Sequence, residues 1–380
     1  MGSQLKRIQF LDFLRGFAVV VMVMGHSIDA VLSREMRTSQ GFILYDFFRG
    51  FTAPIFLFVS GYAYIIATEK KWGEMRAFGA PLMKRFGKIA LLFAIGYALH
   101  FPFFSFTKIV TQATSADYAQ LFQVDVLHCV AATLLVLQGL LFVTPTPRAF
   151  ALSAVAVATG IVLLAPIVWN IDFAPIVSPA LSPYFNQTQL SIFPLFPFAA
   201  FMLAGVVAGH FFLEAQRAGN ERQFFRGVLV LALVLVALGI DFDLLPLQVY
   251  PAHDYWKSSP NFFLVRFGIV LFVTSCFSYV RSLPRAVERH LVMLGQASLL
   301  VYAVHMVIVY GSAANNGLMQ RVGQTLAAQQ AVGVGLAVLA SMVVVVFVWN
   351  HVRTNYRLAA RLVQVGVAGS ILLTFFVRPW

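Results

Sequence analysis

The sequence predicts an all-α, polytopic transmembrane helical bundle of about eleven spans with its N-terminus in the cytoplasm. First, hydrophobic residues make up 60% of the 380 and charged residues only 11%, which leaves too little polar surface to coat a soluble globule of that size. Second, apolar runs recur at the roughly 20-residue length that an α-helix needs to cross a hydrocarbon core, whereas a transmembrane barrel shows short alternating segments. Third, lysine and arginine alternate between rich and poor loops along the chain.

Taken in order, the spans are expected at 9–31, 43–67, 88–106, 124–143, 150–169, 191–213, 226–246, 262–280, 292–312, 329–350 and 361–377. The opening QLKRIQFLDFLRGFAVVVMVMGH has the outline of a signal peptide, but Asp12 and Arg15 interrupt its apolar stretch, so a retained first helix is expected. Pro54 on the second span, and Pro194 with Pro197 on the sixth, are expected to kink their helices. Ser60-Gly61 lacks the G-x-S-x-G surroundings of a nucleophile, and small residues at such a place favour close helix packing. The connecting segments carry no long linker, low-complexity tract or repeat, so a single domain over 1–380 is expected.

One set of loops holds Lys6, Arg7, Lys70, Lys71, Arg76, Lys84, Arg85, Lys88, Arg148, Arg217, Arg222, Arg226, Arg281, Arg285, Arg289, Arg353, Arg357 and Arg361. The alternate set holds only Arg34, Arg37, Lys108, Lys257, Arg321 and Arg378. Because basic loops stay cytoplasmic, the net charge of +12 reads as a topology signal rather than a nucleic-acid footprint. The expected partner is the lipid bilayer, with anionic headgroups near the cytoplasmic clusters, and the expected location is the cell (cytoplasmic) membrane. Cys129 and Cys276 both lie in apolar runs, so no disulfide framework or thiolate metal site is expected. Gly-rich phosphate loops are absent, which removes ATP and NAD chemistry.

Arg15, Arg49 and Arg266 are the arginines left inside or at the margin of a span, where a charge is costly and usually functional. With them lie Asp12, His26, Asp46, His100, Asp125, His128, His210 and His305. The loop pattern puts most of these in the outer half of the membrane, as in a water-accessible cavity facing outward, and only Asp12, Arg15 and His210 towards the cytoplasm. Arg15 and His26 stand eleven residues apart, which returns them to nearly one face of the first helix roughly 16 Å apart along its axis. An acyl-coenzyme A, anionic at one end and reactive at the other, fits such a stripe. His26, Asp125, His128 and His305 also form a conceivable metal set, but no paired Glu-x-x-His motif or thiolate supports it and no metal is expected.

LDFLRGFAVVVMVMGH on the first helix resembles the Arg-then-His signature of the transmembrane acyltransferase superfamily, which includes the acyltransferase 3 proteins and the heparan-α-glucosaminide N-acetyltransferase-like proteins. DFFRGFTAPIFLFVSGYAY, VDVLHCVAATLL, FPLFPFAAFMLAGVVAGH and LGQASLLVYAVHMVIVYG are similar to later blocks of that superfamily, in the expected order over 7–312. The RGFTAPIFLFVSG and VDVLH blocks look more like the N-acetyltransferase-like branch. The resemblance implies transfer of an acyl group, commonly acetyl, from cytoplasmic acyl-CoA to a hydroxyl or amine of a sugar or other acceptor at the extracytoplasmic face. It also implies that His26 is the essential histidine and Arg15 its paired arginine, and it leaves open a histidine adduct or direct transfer.

Chemistry independently favours His26 as base, since imidazole is suited to moving a proton near neutral pH. Arg15 either pairs with Asp12 at i, i+3 or takes a coenzyme A or structural-hinge role, and Arg266 is also assigned to the coenzyme A. Arg49 either stabilises a developing oxyanion or pairs with Asp46. Asp125 either caps the fourth helix or serves chemistry with His128, and His305 is either a second polar wall of the cavity or a satisfied core residue. The rival classes are a secondary transporter or flippase with an intramembrane His/Asp/Arg relay, and a membrane scaffold. A transporter predicts an inverted repeat, which the sequence lacks, and a scaffold leaves the polar cluster without purpose.

Overall fold

The computed structural model describes residues 9–188, 190–245, 249–280 and 283–378; Lys6, Arg7 and Arg281 of the charge pattern lie outside them. Among the described residues there are two isolated bridges and no strand. The α-helices, in chain order, are α1 Gln9–Val31, α2 Gln40–Arg49, α3 Thr52–Glu69, α4 Trp72–Arg76, α5 Ala80–Leu99, α6 Phe106–Gln112, α7 Ser115–Leu121, α8 Val126–Val143 and α9 Pro147–Val168. They continue with α10 Leu195–Arg217, α11 Glu221–Leu244, α12 Tyr255–Ser258, α13 Pro260–Tyr279, α14 Arg285–Gln296, α15 Ser298–Val309, α16 Leu318–Val322, α17 Ala328–Asn355 and α18 Arg357–Val377.

Among the described residues, nine helices are long and apolar enough to cross a membrane, or ten if the pair α14 and α15, bent by 81°, is one span. The expected eleventh is α5, which starts at Ala80 rather than at 88 and so takes in Lys84, Arg85 and Lys88. Three cations over its first half set it apart from the uniformly apolar helices.

Local sequence explains where the helices begin. Ser39, Asp125, Thr146 and Ser259 each turn a side-chain oxygen onto the exposed amides of α2, α8, α9 and α13, and Pro147 and Pro260 occupy first-turn positions where no amide hydrogen is needed. The same rule corrects the expected kink at Pro54, which sits in the first turn of α3 and so starts that helix instead of bending it. Pro194 is the residue before α10. The kink expected from Pro194 with Pro197 is present at Phe196, whose non-helical angles precede Pro197.

Contacts divide the chain into two compact units. The first comprises 1–52, 98–121 and 282–380. Its hub is α1, which packs on α14, α15, α16 and α17. Glycines make the tightest of these crossings: a β-carbon on Gly16 would strike the Leu291 carbonyl, and one on Gly295 would lie 2.7 Å from the Asp12 carbonyl oxygen. Two helix backbones in contact exclude any side chain between them, the small-residue packing common in membrane helices. At the far end of α1 the chain is pinned by Ser33 N donating to Leu326 O and Leu326 N donating to Val31 O, each at 2.9 Å. Phe375 of α18 stacks on Phe101 at 4.7 Å between ring centres.

The second unit comprises 53–97 and 122–281. Its core gathers Leu57, Tyr64 and Ile65 of α3, Leu137 and Leu141 of α8, Phe150 of α9 and Phe201 to Leu203 of α10. Gly61 and Gly205 bring α3 and α10 into backbone contact, against Met202 and Phe58 respectively. The expectation that Ser60-Gly61 serves packing is met here. Gly239 and Gly268 do the same for α11 and α13, where a β-carbon would approach the carbonyls of Asn261 and Ala232 to 2.6 and 2.7 Å.

Candidate active site

In the first unit α1 and α15 bring two histidines of the expected set together. His26 Nδ1 lies 2.9 Å from His305 Nε2, and the rings are nearly coplanar, with 4° between their planes. His305 is fully buried, and its Nδ1 donates to the carbonyl of Val301, one turn back on α15, at 2.7 Å. His26 is partly buried, and among the described residues no hydrogen bond reaches its Nε2. Tyr310 meets His26 edge-on at 5.7 Å, and Tyr302 meets His305 in the same manner at 5.8 Å, which fixes both ring planes.

Arg49 lies beside this pair. A β-carbon on Gly25, the residue before His26, would stand 2.9 Å from Arg49 Cδ, so the arginine stem crosses α1 where glycine leaves room. Its Nε and Nη2 donate to Asp46 Oδ1 at 3.0 and 2.5 Å, and Nη1 lies 3.4 Å from Asp29 Oδ2. Asp29 also accepts from Arg37, at 2.8 Å through Oδ1 and 2.5 Å through its carbonyl. The Asp46 pairing expected from spacing is therefore present, inside a larger network of two arginines and two aspartates. Tyr45 adds a hydroxyl that donates to the Gly25 carbonyl at 3.4 Å.

Sequence reasoning missed Asp29, Arg37, Tyr45 and Tyr310. Asp29 carried a usable signal, being a carboxylate inside the first expected span and three residues after His26. Tyr310 carried none, because an aromatic at a span end is usual.

Arg15 lies half-buried on α1 at the α14 crossing, within reach of the Asp12 charge, with its Cβ 3.4 Å from where a Gly295 β-carbon would be. Arg266 belongs to the second unit, where its guanidinium stacks 4.4 Å over Phe262 of the same helix. Its charge is thus laid on an aromatic face.

Asp125 and His128 also belong to the second unit and form a capping box at the start of α8. Asp125 Oδ1 accepts from Leu127 N at 2.8 Å and His128 N at 3.1 Å, and lies 2.8 Å from His128 Nδ1. The His128 ring is fully buried, with Tyr97 edge-on at 4.3 Å and Gly96 directly beneath it, where a β-carbon would come within 2.6 Å. Tyr184, from the 170–194 connection, pairs hydroxyls with Tyr97 at 3.0 Å. Burial, reinforced by that bond, holds the Tyr184 phenol well above its ordinary pKa, so it acts as a neutral hydrogen-bonding group. The architecture gives Asp125 its capping role and encloses His128 in aromatic rings.

A second buried polar cluster joins α3 and α10. Glu69 accepts from Arg217 at 2.5 Å and lies 2.6 Å from His210 Nδ1, while Glu214 stands 3.4 Å from His210 Nε2. His210, one of the intramembrane histidines placed towards the cytoplasm, is held between two carboxylates.

The family model for the acyltransferase 3 domain, described as "Acyltransferase domain", matches residues 8–349. The match spans α1, α2, α15 and every residue of the histidine and arginine cluster, and the branch it selects is acyltransferase 3. No curated protein matches the chain closely enough to count as a relative. With a helical chain rich in membrane-spanning segments and a family match over most of its length, this protein belongs to the acyltransferase 3 family and is a membrane acyltransferase.

Proposed function

We propose that the protein moves an acyl group, acetyl in the simplest case, from cytoplasmic acyl-CoA to a hydroxyl or amine of a sugar or other small acceptor at the extracytoplasmic face, with His26 as general base. The observation that carries this reading is the His26–His305 pair: a half-buried imidazole bonded to a fully buried one. A histidine that served only packing would have both nitrogens satisfied by backbone or core groups. His26 instead bonds a rigid partner through Nδ1 and has no hydrogen bond to Nε2 from the described residues, the arrangement of a base with an orienting group.

In the proposed step the acceptor loses its proton to His26 and attacks the thioester carbonyl carbon. The resulting oxyanion is stabilised by the Arg49 guanidinium, which Asp46 and Asp29 hold in place. Collapse breaks the carbon–sulfur bond, and the proton on His26 passes to the coenzyme A thiolate. Arg15, on the same stripe of α1 and roughly 16 Å along the axis from His26, is assigned to the anionic part of the donor. Arg266, stacked on Phe262, is a weaker candidate for that task. Asp125 and His128 support the second unit and take no step in this scheme.

The experiment is thermal stability of the purified full-length protein with acetyl-CoA, against free coenzyme A and ATP. Saturable stabilisation by acetyl-CoA, weakened in Arg15→Ala and kept in His26→Ala, is the expected result. No shift at any concentration up to solubility would remove the donor assignment.

A further inference from the structure

We infer that His305 is a positioning residue that fixes the tautomer of His26, leaving Nε2 of His26 as the atom that takes the acceptor's proton. The chemical role rests on the acyl-transfer reading above, whereas the proton assignment stands on hydrogen-bond geometry together with burial.

The Val301 carbonyl fixes the first proton. A carbonyl oxygen only accepts, so His305 Nδ1, 2.7 Å from it, carries a hydrogen. Among the described residues no carboxylate bonds either imidazole, and a buried imidazole without a counter-charge is held in its one-proton form. His305 Nε2 therefore presents a lone pair. The atom 2.9 Å away is His26 Nδ1, which must donate. That places the single proton of His26 on Nδ1 and leaves Nε2 bare. Two nearly coplanar rings give this bond good alignment, and Tyr310 and Tyr302, edge-on to His26 and His305, oppose rotation out of it. The orienting group in this site is thus a second imidazole anchored to its own helix, where other enzymes commonly use a carboxylate.

The proton count closes. The acceptor O–H bond breaks and its proton joins His26 Nε2 while the oxygen bonds the acyl carbon. The C–S bond then breaks, and the same proton moves from Nε2 to the departing sulfur. Throughout, His26 Nδ1–H stays bonded to His305 Nε2, and that bond is charge-assisted while His26 is an imidazolium. His305 never changes protonation state, so it acts only through His26.

The test pairs a spectroscopic reading with kinetics. Full-length protein labelled with nitrogen-15 in its histidines is reconstituted in lipid, and signals are assigned by their loss in His26→Ala and His305→Ala. The expected spectrum shows Nδ1 protonated and Nε2 unprotonated in both rings; a proton on His26 Nε2 would overturn the inference. Release of coenzyme A from acetyl-CoA is then followed with glucosamine as a hydroxyl- and amine-bearing acceptor. His305→Ala should lower kcat about 10–100-fold, the usual cost of losing an orienting partner, with KM for acetyl-CoA unchanged. His305→Gln, whose amide oxygen can accept from His26 Nδ1–H, should recover part of the loss. Equal kcat in wild type and His305→Ala would overturn the positioning role. Full turnover by His26→Ala would instead overturn the acyl-transfer reading, and the role of His305 with it, while the spectrum would still judge the proton assignment.

Discussion

Replacing Gly16 by alanine should loosen the α1–α14 crossing that holds the Arg15 end of the active-site helix. The new β-carbon would fall against the Leu291 backbone, 2.7 Å from its carbonyl carbon and 3.0 Å from its Cα. Carbon atoms rest at about 3.5–4.0 Å, so α14 must retreat by roughly 1 Å, and a gap of that size forfeits a quarter to a half of each neighbouring dispersion contact. Backbone, unlike a side-chain tip, has no rotamer with which to move aside. Overpacking of this kind costs about 1–3 kcal/mol, against which alanine returns about 0.5–1 kcal/mol of helix preference, so a net loss centred on about 1 kcal/mol and reaching about 2.5 kcal/mol is expected. Gly227 is the internal control, because a β-carbon there meets nothing within 4 Å on an exposed face of α11. Thermal unfolding in one detergent should rank Gly227→Ala at or above wild type and Gly16→Ala below it. A Gly16→Ala protein as stable as wild type would refute the close-crossing account of unit one.

Two further substitutions separate structure from chemistry. Asp125→Ala should cost about 0.5–2 kcal/mol through loss of the α8 cap, and Asp125→Asn, which keeps an accepting oxygen, should preserve both stability and coenzyme A release. An asparagine variant with normal melting and no turnover would give Asp125 a chemical role after all. Arg49→Lys keeps the charge but loses the two-nitrogen grip on Asp46, and turnover should fall about tenfold or more with little change in melting temperature; unchanged turnover would remove Arg49 from the reaction.

What the sequence revealed and what it hid follow from the range of each interaction. Helices were legible because the apolar runs are long and their caps are local: Asp125 before α8 and Thr146-Pro147 before α9 declare themselves within four residues. The Arg49–Asp46 pair was legible for the same reason, at i, i+3. Depth on a span marked His26 and His305 as costly and hence informative, but their pairing, across 279 residues, has no local signature. Asp29 was readable and overlooked, because its value depends on Arg37 and Arg49 arriving from the following segments. The expected kink at Pro54 failed because proline marks a helix start as readily as a bend, whereas the kink expected from Pro194 with Pro197 is present at Phe196. Membership of the first or second unit was likewise invisible, since each is assembled from separate stretches of chain.

The central claim is that His26 performs acyl transfer, and the most direct measurement is coenzyme A release from acetyl-CoA with glucosamine as a hydroxyl- and amine-bearing acceptor, by full-length protein in lipid vesicles, wild type against His26→Ala, with melting temperatures confirmed to match. The account predicts turnover by wild type and a loss of about 10²–10⁴-fold in His26→Ala, the usual contribution of a positioned base. Equal release by the two proteins would contradict it.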